Sequence, residues 1–203
     1  MTLPLRRLGL FINYRFDIML KDFQRIGRQL LHLGLITSHG GNASLVKGDD
    51  MFITRHSAML GDLKKGDVIK VPYIGKGPAR HVKVSKEYPV HREIYEMTGA
   101  EAIIHAHPPN AIALSLVKKK IQPLDAEGLI LLGEVPVVGT DKVVRPVGSK
   151  EVGKAVARTL MKVPVVMVRG HGSFAVGKTL EETLHCTSAL EYSCKVILAL
   201  NKG

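Results

Sequence analysis

The stretch most informative about the fold and chemistry of this chain reads Ala102-Ile103-Ile104-His105-Ala106-His107-Pro108. Its apolar run predicts a buried β-strand, and the proline predicts where that strand ends. Because residues i and i+2 of a strand face the same side of a sheet, the imidazoles of His105 and His107 are expected side by side. Open α/β sheets keep their chemistry at strand ends, and paired imidazoles suit a divalent transition metal, most often zinc.

A third histidine occurs in a similar setting. The apolar run 163–168 predicts a second buried strand, and it is followed by Arg169-Gly170-His171-Gly172. Glycines on both sides of a histidine at a strand end allow the backbone to approach another group closely. His105, His107 and His171 together would form a three-histidine metal site with an open coordination position.

Glu87 lies at the predicted start of a helix, a short distance before the histidine pair. One interpretation is structural, since a carboxylate in the first helical turn interacts favourably with the helix dipole. The other is that Glu87 acts as a general acid/base, or as a fourth ligand, beside the metal. The spacing alone leaves both interpretations open.

An anion site is indicated by a turn that reads Gly40-Gly41-Asn42-Ala43-Ser44. Such a turn can offer backbone N–H groups and an amide to an anion, although the same letters also mark ordinary turns. Ser57, Ser85 and Lys86 are further candidates for the same anion.

Length and composition narrow the class of protein. A chain of 203 residues with 45% hydrophobic content is large enough for one compact α/β domain, and it contains no apolar run of about 20 residues that could span a bilayer. The formal charge of +11 comes from scattered basic residues without interleaved aromatics, which argues against nucleic acid and favours a phosphorylated or carboxylated small molecule. Cys186 and Cys194 are too far apart on one predicted helix to form a disulfide, which favours reduced thiols in the cytoplasm.

The hydrophobic pattern predicts a succession of helices and strands without a linker long enough to divide domains. The predicted helices cover residues 16–33, 89–97, a segment opening at 108–109, 149–160 with Ser149 as its cap, and 179–201. The predicted strands lie around 45–46, 51–54, 68–71, 81–84, 102–107, 135–138 and 163–168. Residues 1–18 are interpreted as an N-terminal extension and residues 19–203 as one domain.

Taken in order, these motifs resemble those of the class II aldolase/adducin head family. The resemblance rests on segments 40–44, 52–54, 85–87, 105–108 and 169–172 and on the final helix, and it covers nearly the whole chain. It implies a three-layer α/β/α fold with a central, largely antiparallel sheet. It also implies one Zn²⁺ per subunit held by His105, His107 and His171, with Glu87 as the acid/base and a homotetramer whose active sites lie at subunit interfaces.

The family's phosphate-binding positions fall on Gly41, Asn42, Ser57 and Ser85. Lys86 stands where aldolases of the family have a second serine; it could strengthen anion binding or simply point outward. The tyrosine that those aldolases borrow from a neighbouring subunit has no counterpart in segment 123–128. Asp125 or Glu127 could take its place there.

The resemblance therefore implies a zinc-dependent aldolase that cleaves a ketose 1-phosphate to dihydroxyacetone phosphate and an aldehyde through a metal-stabilised enediolate. Two related chemistries remain alternatives: a ribulose-5-phosphate 4-epimerase and a methylthioribulose-1-phosphate dehydratase. A non-catalytic scaffold like the adducin heads is a third alternative, which the intact histidine set and Glu87 disfavour. Neither a nucleic-acid partner nor a membrane is expected.

Overall fold

Within residues 5–75, 77–79, 81–139 and 150–200, which the computed structural model describes, eight strands form one sheet. They are β1 (Asn42–Lys47), β2 (Asp50–Thr54), β3 (Val68–Pro72), β4 (Ala102–Ala106), β5 (Lys120–Ile121), β6 (Val135–Val138), β7 (Val165–Val168) and β8 (Gly172–Gly177). Their order across the sheet is β3-β2-β1-β4-β8-β7-β6-β5. Only β6 and β7, among these described strands, pair in parallel, so the sheet is largely antiparallel.

Helices cover both faces of this sheet. They are α1 (Leu5–His32), α2 (Tyr88–Thr98), α3 (Pro109–Val117), α4 (Ala126–Leu131), α5 (Lys150–Leu160) and α6 (Leu180–Leu200), with a short 3-10 helix at Leu60–Asp62. The apolar sides of α1, α3 and α6 pack on one face, and those of α2 and α5 pack on the other. This arrangement confirms the predicted three-layer α/β/α fold in a single domain.

Side chains of the central strand β4 alternate between the two faces of the sheet, and this alternation determines which face His105 occupies. Ala102, Ile104 and Ala106 face the layer that contains α1. Ile103 faces the opposite layer, with α2 and α5. Since side chains two apart share a face, His105 also lies on the α2 side. The strand periodicity therefore directs this imidazole toward the start of α2, where Glu87 is found.

Some predicted elements differ from the structure. The strand predicted over residues 81–84 is wrong: Val84 N donates to Val82 O within a tight turn, and only an isolated bridge joins Arg55 to Val84. The short elements β5, β8 and α4 were not predicted, because they are brief or rich in glycine and lack a clear period. Ser149 and Asn201, named above as helix ends, lie outside the described residues.

The first and last helices, α1 and α6, bear on three further predictions. α1 runs without a break from Leu5 across residue 18, so the division between residues 1–18 and 19–203 stays a prediction; residues 1–4 lie outside the described part. Cys186 and Cys194 are both free and buried on α6, as predicted. None of the helices in the described part of the chain is both long and apolar enough to cross a bilayer.

Candidate metal centre and active-site cavity

Three imidazoles converge at the end of the sheet. His105 lies in β4, His107 follows that strand directly, and His171 lies in the turn between β7 and β8. The Nε2 atom of His105 lies 2.9 Å from that of His107 and 3.0 Å from that of His171. Among the described residues these three form a cluster whose ligand atoms all lie within 4.8 Å of one another. The structure thus brings together the three predicted metal ligands.

The orientation of His105 is fixed by its surroundings. Its Nδ1 donates to the backbone carbonyl of Ser173 at 2.9 Å, and its ring stacks on Phe174 with a centroid distance of 4.4 Å. Nε2 is then the unprotonated nitrogen and is available to a metal. Histidine ligands of metals usually donate their other ring N–H to a carbonyl or carboxylate in this way. Burial lowers the pKa of His105 to about 3 and lowers that of His107 as well. Both rings are therefore neutral at physiological pH, the form that binds metal ions.

Two glycines permit the close packing around these rings. A Cβ on Gly172 would lie 2.3 Å from the carbonyl oxygen of Ala106 and 2.7 Å from the His107 ring. Gly41 has a φ of +76°, and a Cβ there would lie 2.7 Å from the backbone oxygen of His105. Neither position can accept a larger residue without moving backbone. The glycine beside His171 thus has the role that its sequence context suggested.

Glu87 closes the cluster from the α2 side. It occupies the N-cap position of α2 but makes no side-chain capping hydrogen bond, and it is only 6% exposed. Its Oε1 lies 3.4 Å from the Nε2 atoms of both His105 and His171. Its Oε2 accepts a hydrogen bond of 2.6 Å from Asn42 Nδ2. The geometry favours the chemical interpretation of Glu87 over the structural one.

The charge state of Glu87 follows from opposing effects. Burial on its own would raise the pKa of the carboxyl group, because it disfavours the charged form. Hydrogen bonds from His171 and Asn42 favour the charged form and outweigh burial, and the pKa of Glu87 lies well below its usual range. Glu87 is therefore a carboxylate at neutral pH.

A cavity of about 200 Å³ opens in front of this cluster. Its walls contain Glu87, the three histidines and all five residues predicted for phosphate or substrate: Gly41, Asn42, Ser57, Ser85 and Lys86. Ser57 has a φ of +62°, which is rare for a residue other than glycine and marks a constrained turn. A larger cavity of about 790 Å³ lies between α1 and the β1–β2 hairpin and contains none of the predicted site residues.

Several residues of the site were not predicted from the sequence. Arg55 lines the cavity and is held by Asp67, whose Oδ1 accepts from Arg55 Nε at 2.6 Å. Ser173 and Phe174 orient His105 from β8. Because β8 was not recognised as a strand, its register opposite β4 could not be deduced, and the sequence offered no other signal for these contacts.

Asp125 and Glu127 lie away from the cavity within one chain. Asp125 caps α4, its Oδ2 accepting from Gly128 N at 2.8 Å. Glu127 is exposed, and its Oε1 lies 2.9 Å from His185 Nε2. Their predicted contribution to the active site of a neighbouring subunit stays a prediction.

With this geometry established, comparison with known proteins identifies the family. The family described as "Class II Aldolase and Adducin N-terminal domain" matches residues 21–198. The chain belongs to this family. Membership confirms the family resemblance and the prediction of a class II aldehyde-lyase.

Relatives within the class II aldolase family include aldolases and a dehydratase. An L-fuculose phosphate aldolase of Methanocaldococcus jannaschii is 29% identical over 182 residues, which cover 88% of this chain and 94% of that protein. A methylthioribulose-1-phosphate dehydratase of Acidiphilium cryptum is 28% identical over 187 residues, covering 86% and 88%. The crystal structure of L-fuculose-1-phosphate aldolase from Thermus thermophilus superposes with a TM-score of 0.83 at 35% identity, covering 90% of this chain and 93% of that chain.

Proposed function

We propose that this class II aldolase family member is a zinc-dependent aldolase that cleaves a ketose 1-phosphate, similar to fuculose 1-phosphate, to dihydroxyacetone phosphate and an aldehyde. The observation that carries the proposal is the position of the Glu87 carboxylate, 3.4 Å from two of three converging imidazoles. A proton-accepting group thus stands beside a metal-binding set, in a cavity whose wall also contains the hydroxyls of Ser57 and Ser85 and the basic side chains of Arg55 and Lys86.

The histidine set fits a zinc ion. Two nitrogens bound to one zinc ion at tetrahedral geometry lie about 3.3 Å apart, close to the separations between the Nε2 atoms here. Three imidazole ligands leave a further coordination position for substrate, as in catalytic rather than structural sites. When bound, zinc would supply a Lewis acid that stabilises negative charge developing on the substrate's carbonyl and hydroxyl oxygens.

Glu87 is the residue that moves the proton. In the condensation direction its carboxylate removes a proton from the carbon next to the carbonyl of dihydroxyacetone phosphate. The electron pair left on that carbon forms the new bond to the aldehyde carbon, and the aldehyde oxygen takes up a proton. Cleavage is the reverse: the carbon–carbon bond breaks, the hydroxyl becomes the aldehyde and loses its proton, and Glu87 returns a proton to carbon. Asp125 or Glu127 of a neighbouring copy is the proposed partner of the aldehyde oxygen.

The phosphate end of the cavity is proposed at Gly41, Ser57, Ser85 and Lys86. Lys86 is exposed at the cavity wall and carries the charge that a phosphate would attract. Fixing the phosphate holds the reacting carbon near Glu87, and such positioning raises the rate. Asn42, the fifth residue predicted for this end, donates one amide N–H to Glu87, and its second N–H remains free.

We also propose an oligomeric state and a cellular compartment. A homotetramer is proposed because α4 and the end of α3 expose apolar side chains, including Ile130 at 88% and Val117 at 79%. A reducing, cytoplasmic compartment is proposed because both cysteines are free thiols.

A dehydratase is the second candidate. It is favoured by relatives of similar identity that carry the name methylthioribulose-1-phosphate dehydratase, including the Acidiphilium cryptum protein. A dehydratase would expel a hydroxyl group as water and keep the carbon chain intact. The products of the two reactions therefore distinguish the candidates directly.

The deciding experiment is a panel of ketose phosphates offered to the zinc-loaded protein, with methylthioribulose 1-phosphate included. Release of dihydroxyacetone phosphate, lost after chelation and restored by zinc, is the expected result. Loss of water without release of dihydroxyacetone phosphate would establish the dehydratase. Full activity after removal of all metal would overturn both candidates.

A further inference from the structure

The phosphate end of the cavity contains a basic side chain that the family resemblance does not supply. Arg55 follows β2 directly, and it lines the cavity together with Ser57, Ser85 and Lys86. Among the described residues of this wall, Arg55 and Lys86 are the two whose side chains carry a positive charge. The Glu87 carboxylate in the same cavity repels an anion, so these two cations determine where an anion can bind.

Backbone pairing fixes the position of Arg55 in the wall. Arg55 forms an antiparallel bridge with Val84, the residue before Ser85. Ala58 N donates to the carbonyl oxygen of Arg55 at 3.2 Å and closes a turn that contains Ser57 at a φ of +62°. The backbone therefore holds Arg55 beside both of the serines proposed for the phosphate.

The guanidinium group of Arg55 is held at one edge. Its Nε donates to Asp67 Oδ1 at 2.6 Å, and its Nη1 donates to the carbonyl oxygen of His56 at 3.2 Å. The second carboxylate oxygen of Asp67 accepts from Lys64 N at 2.8 Å, so Nη2 lacks the bond that a bidentate arginine–carboxylate pair would give it. Of the five guanidinium N–H donors these bonds use two, which leaves three without a partner among the described residues.

A guanidinium group held in this way suits a phosphate dianion. Its remaining donors match the oxygens of one phosphate, and charge-assisted hydrogen bonds are about twice as strong as neutral ones. Only 10% of the Asp67 side chain is exposed, whereas 41% of the Arg55 side chain is open to solvent or to a ligand. Because Asp67 already restricts Arg55, less rotamer freedom is lost when a ligand binds.

We propose that Arg55 binds the substrate phosphate through its unpaired Nη donors and that Asp67 is the positioning residue for this contact. The proposal rests on the proposed function, since it names the part of a ketose phosphate that Arg55 contacts. It adds a fixed guanidinium group to a site otherwise built of serine hydroxyls, backbone and amide N–H groups and the flexible side chain of Lys86.

The first test measures the binding of glycerol 3-phosphate to the zinc-loaded protein by calorimetry. Arg55→Gln is expected to raise the Kd at least about tenfold, because it removes a charge-assisted contact. Arg55→Lys retains the charge without the planar fork and is expected to raise the Kd at least about threefold. Arg92→Gln is the matched control, because Arg92 Nε makes a similar bond of 2.8 Å to Glu96 outside the cavity lining. A Kd for Arg55→Gln no higher than that of the control would overturn the proposal.

Asp67→Asn tests the positioning role through the sign of its effect. The substitution removes a negative charge near the phosphate, so a purely electrostatic effect would lower the Kd. Release of Arg55 is expected to raise the Kd about two- to tenfold instead. In an Arg55→Gln background the same substitution should not raise the Kd further. A lower Kd in the native background, or an equal increase in both backgrounds, would overturn the role of Asp67.

Kinetics extend the test to substrate. On a ketose phosphate that the native protein cleaves, Arg55→Gln is expected to raise KM at least about tenfold with a smaller change in kcat. A native KM with a reduced kcat would overturn the contact with the phosphate. If the native protein binds glycerol 3-phosphate but cleaves no ketose phosphate, the proposed function fails and calorimetry still decides the role of Arg55. If it binds no phosphate ester, the two proposals fail together.

Discussion

At the scale of single residues, the site depends on the close packing of a glycine against the histidines as much as on the histidines themselves. Gly172 lies where β8 passes the end of β4, and a side chain there would meet backbone rather than a movable side chain. The rings of His105 and His107 are also within reach of that missing Cβ. Metal affinity should therefore be sensitive to a residue that offers no ligand atom.

Gly172→Ala is expected to lower zinc affinity at least about tenfold and the free energy of unfolding by about 1–3 kcal/mol, because the strands must separate. Gly153→Ala on α5 is the matched control. Its Cβ would lie 3.5 Å or more from Val90, an ordinary contact, so it is expected to stabilise the helix slightly. Metal titration and urea unfolding measure both effects, and native zinc affinity in Gly172→Ala would contradict the packing argument.

Glu87→Gln separates proton transfer from metal binding. The amide retains the size of the carboxylate but cannot accept a proton, so kcat is expected to fall at least about 100-fold while most of the zinc is retained. Glu93→Gln, on the same helix but outside the cavity lining, serves as the control. Zinc content and rate are measured on the same samples. A Glu87→Gln enzyme with native kcat would remove Glu87 from the reaction.

At the scale of elements, a buried polar network fixes α2 against β1. Ser44 Oγ lies 2.7 Å from both His91 Nδ1 and Tyr95 Oη, and His91 is fully buried one turn after Glu87. This network sets the position of the α2 start, and with it the distance from Glu87 to the histidines. Acid is expected to destabilise this network, because burial disfavours the protonated form of the His91 imidazole.

Burial lowers the pKa of His91 to about 4, against an opposing effect of the Glu87 charge. The unfolded chain takes up this proton near its ordinary pKa of 6.5, so the folded state loses stability as the pH falls from 6.5 to about 4 and retains it above 6.5. At pH 4.5 this loss amounts to about 2–3 kcal/mol. His91→Asn, which cannot titrate, should show that much less loss between pH 7 and 4.5 in urea unfolding of the metal-free protein. Equal losses would place the acid sensitivity elsewhere.

The strands and helices also show which parts of the site could be predicted from the sequence. Spacing of two along β4 placed His105 and His107 on one face, and flanking glycines identified His171, so the metal ligands could be predicted from local pattern. The contacts that orient them join distant positions: Asn42 with Glu87 across 45 residues, and His105 with Ser173 across 68. Such pairs follow from strand register, which residue pattern does not specify for a short strand such as β8. The sequence could name Glu87 but could not decide which way it faces.

At the scale of the whole molecule, three exposed apolar side chains lie near the acids proposed to act in a neighbouring copy. Leu129 and Ile130 lie on α4, beside Glu127, and Leu124 lies just before that helix. They are 48%, 88% and 57% exposed. Burying this surface in a second copy would bring α4 to a subunit interface, where Asp125 or Glu127 could reach another cavity.

Ile130→Glu is therefore expected to convert a species of about four times the 22.2 kDa chain mass into smaller ones, because a charge cannot be buried there without a partner. Sedimentation velocity measures the assembly, and the lyase rate measured on the same samples should fall about tenfold or more, since each site would lose its neighbour's acid. Met161→Glu is the control, because Met161 is 59% exposed but lies beyond the end of α5. A full-mass, fully active Ile130→Glu protein would place the interface on another face. A smaller species that keeps its full rate would show instead that each chain holds a complete active site, and that Asp125 and Glu127 serve only to cap α4 and to pair with His185.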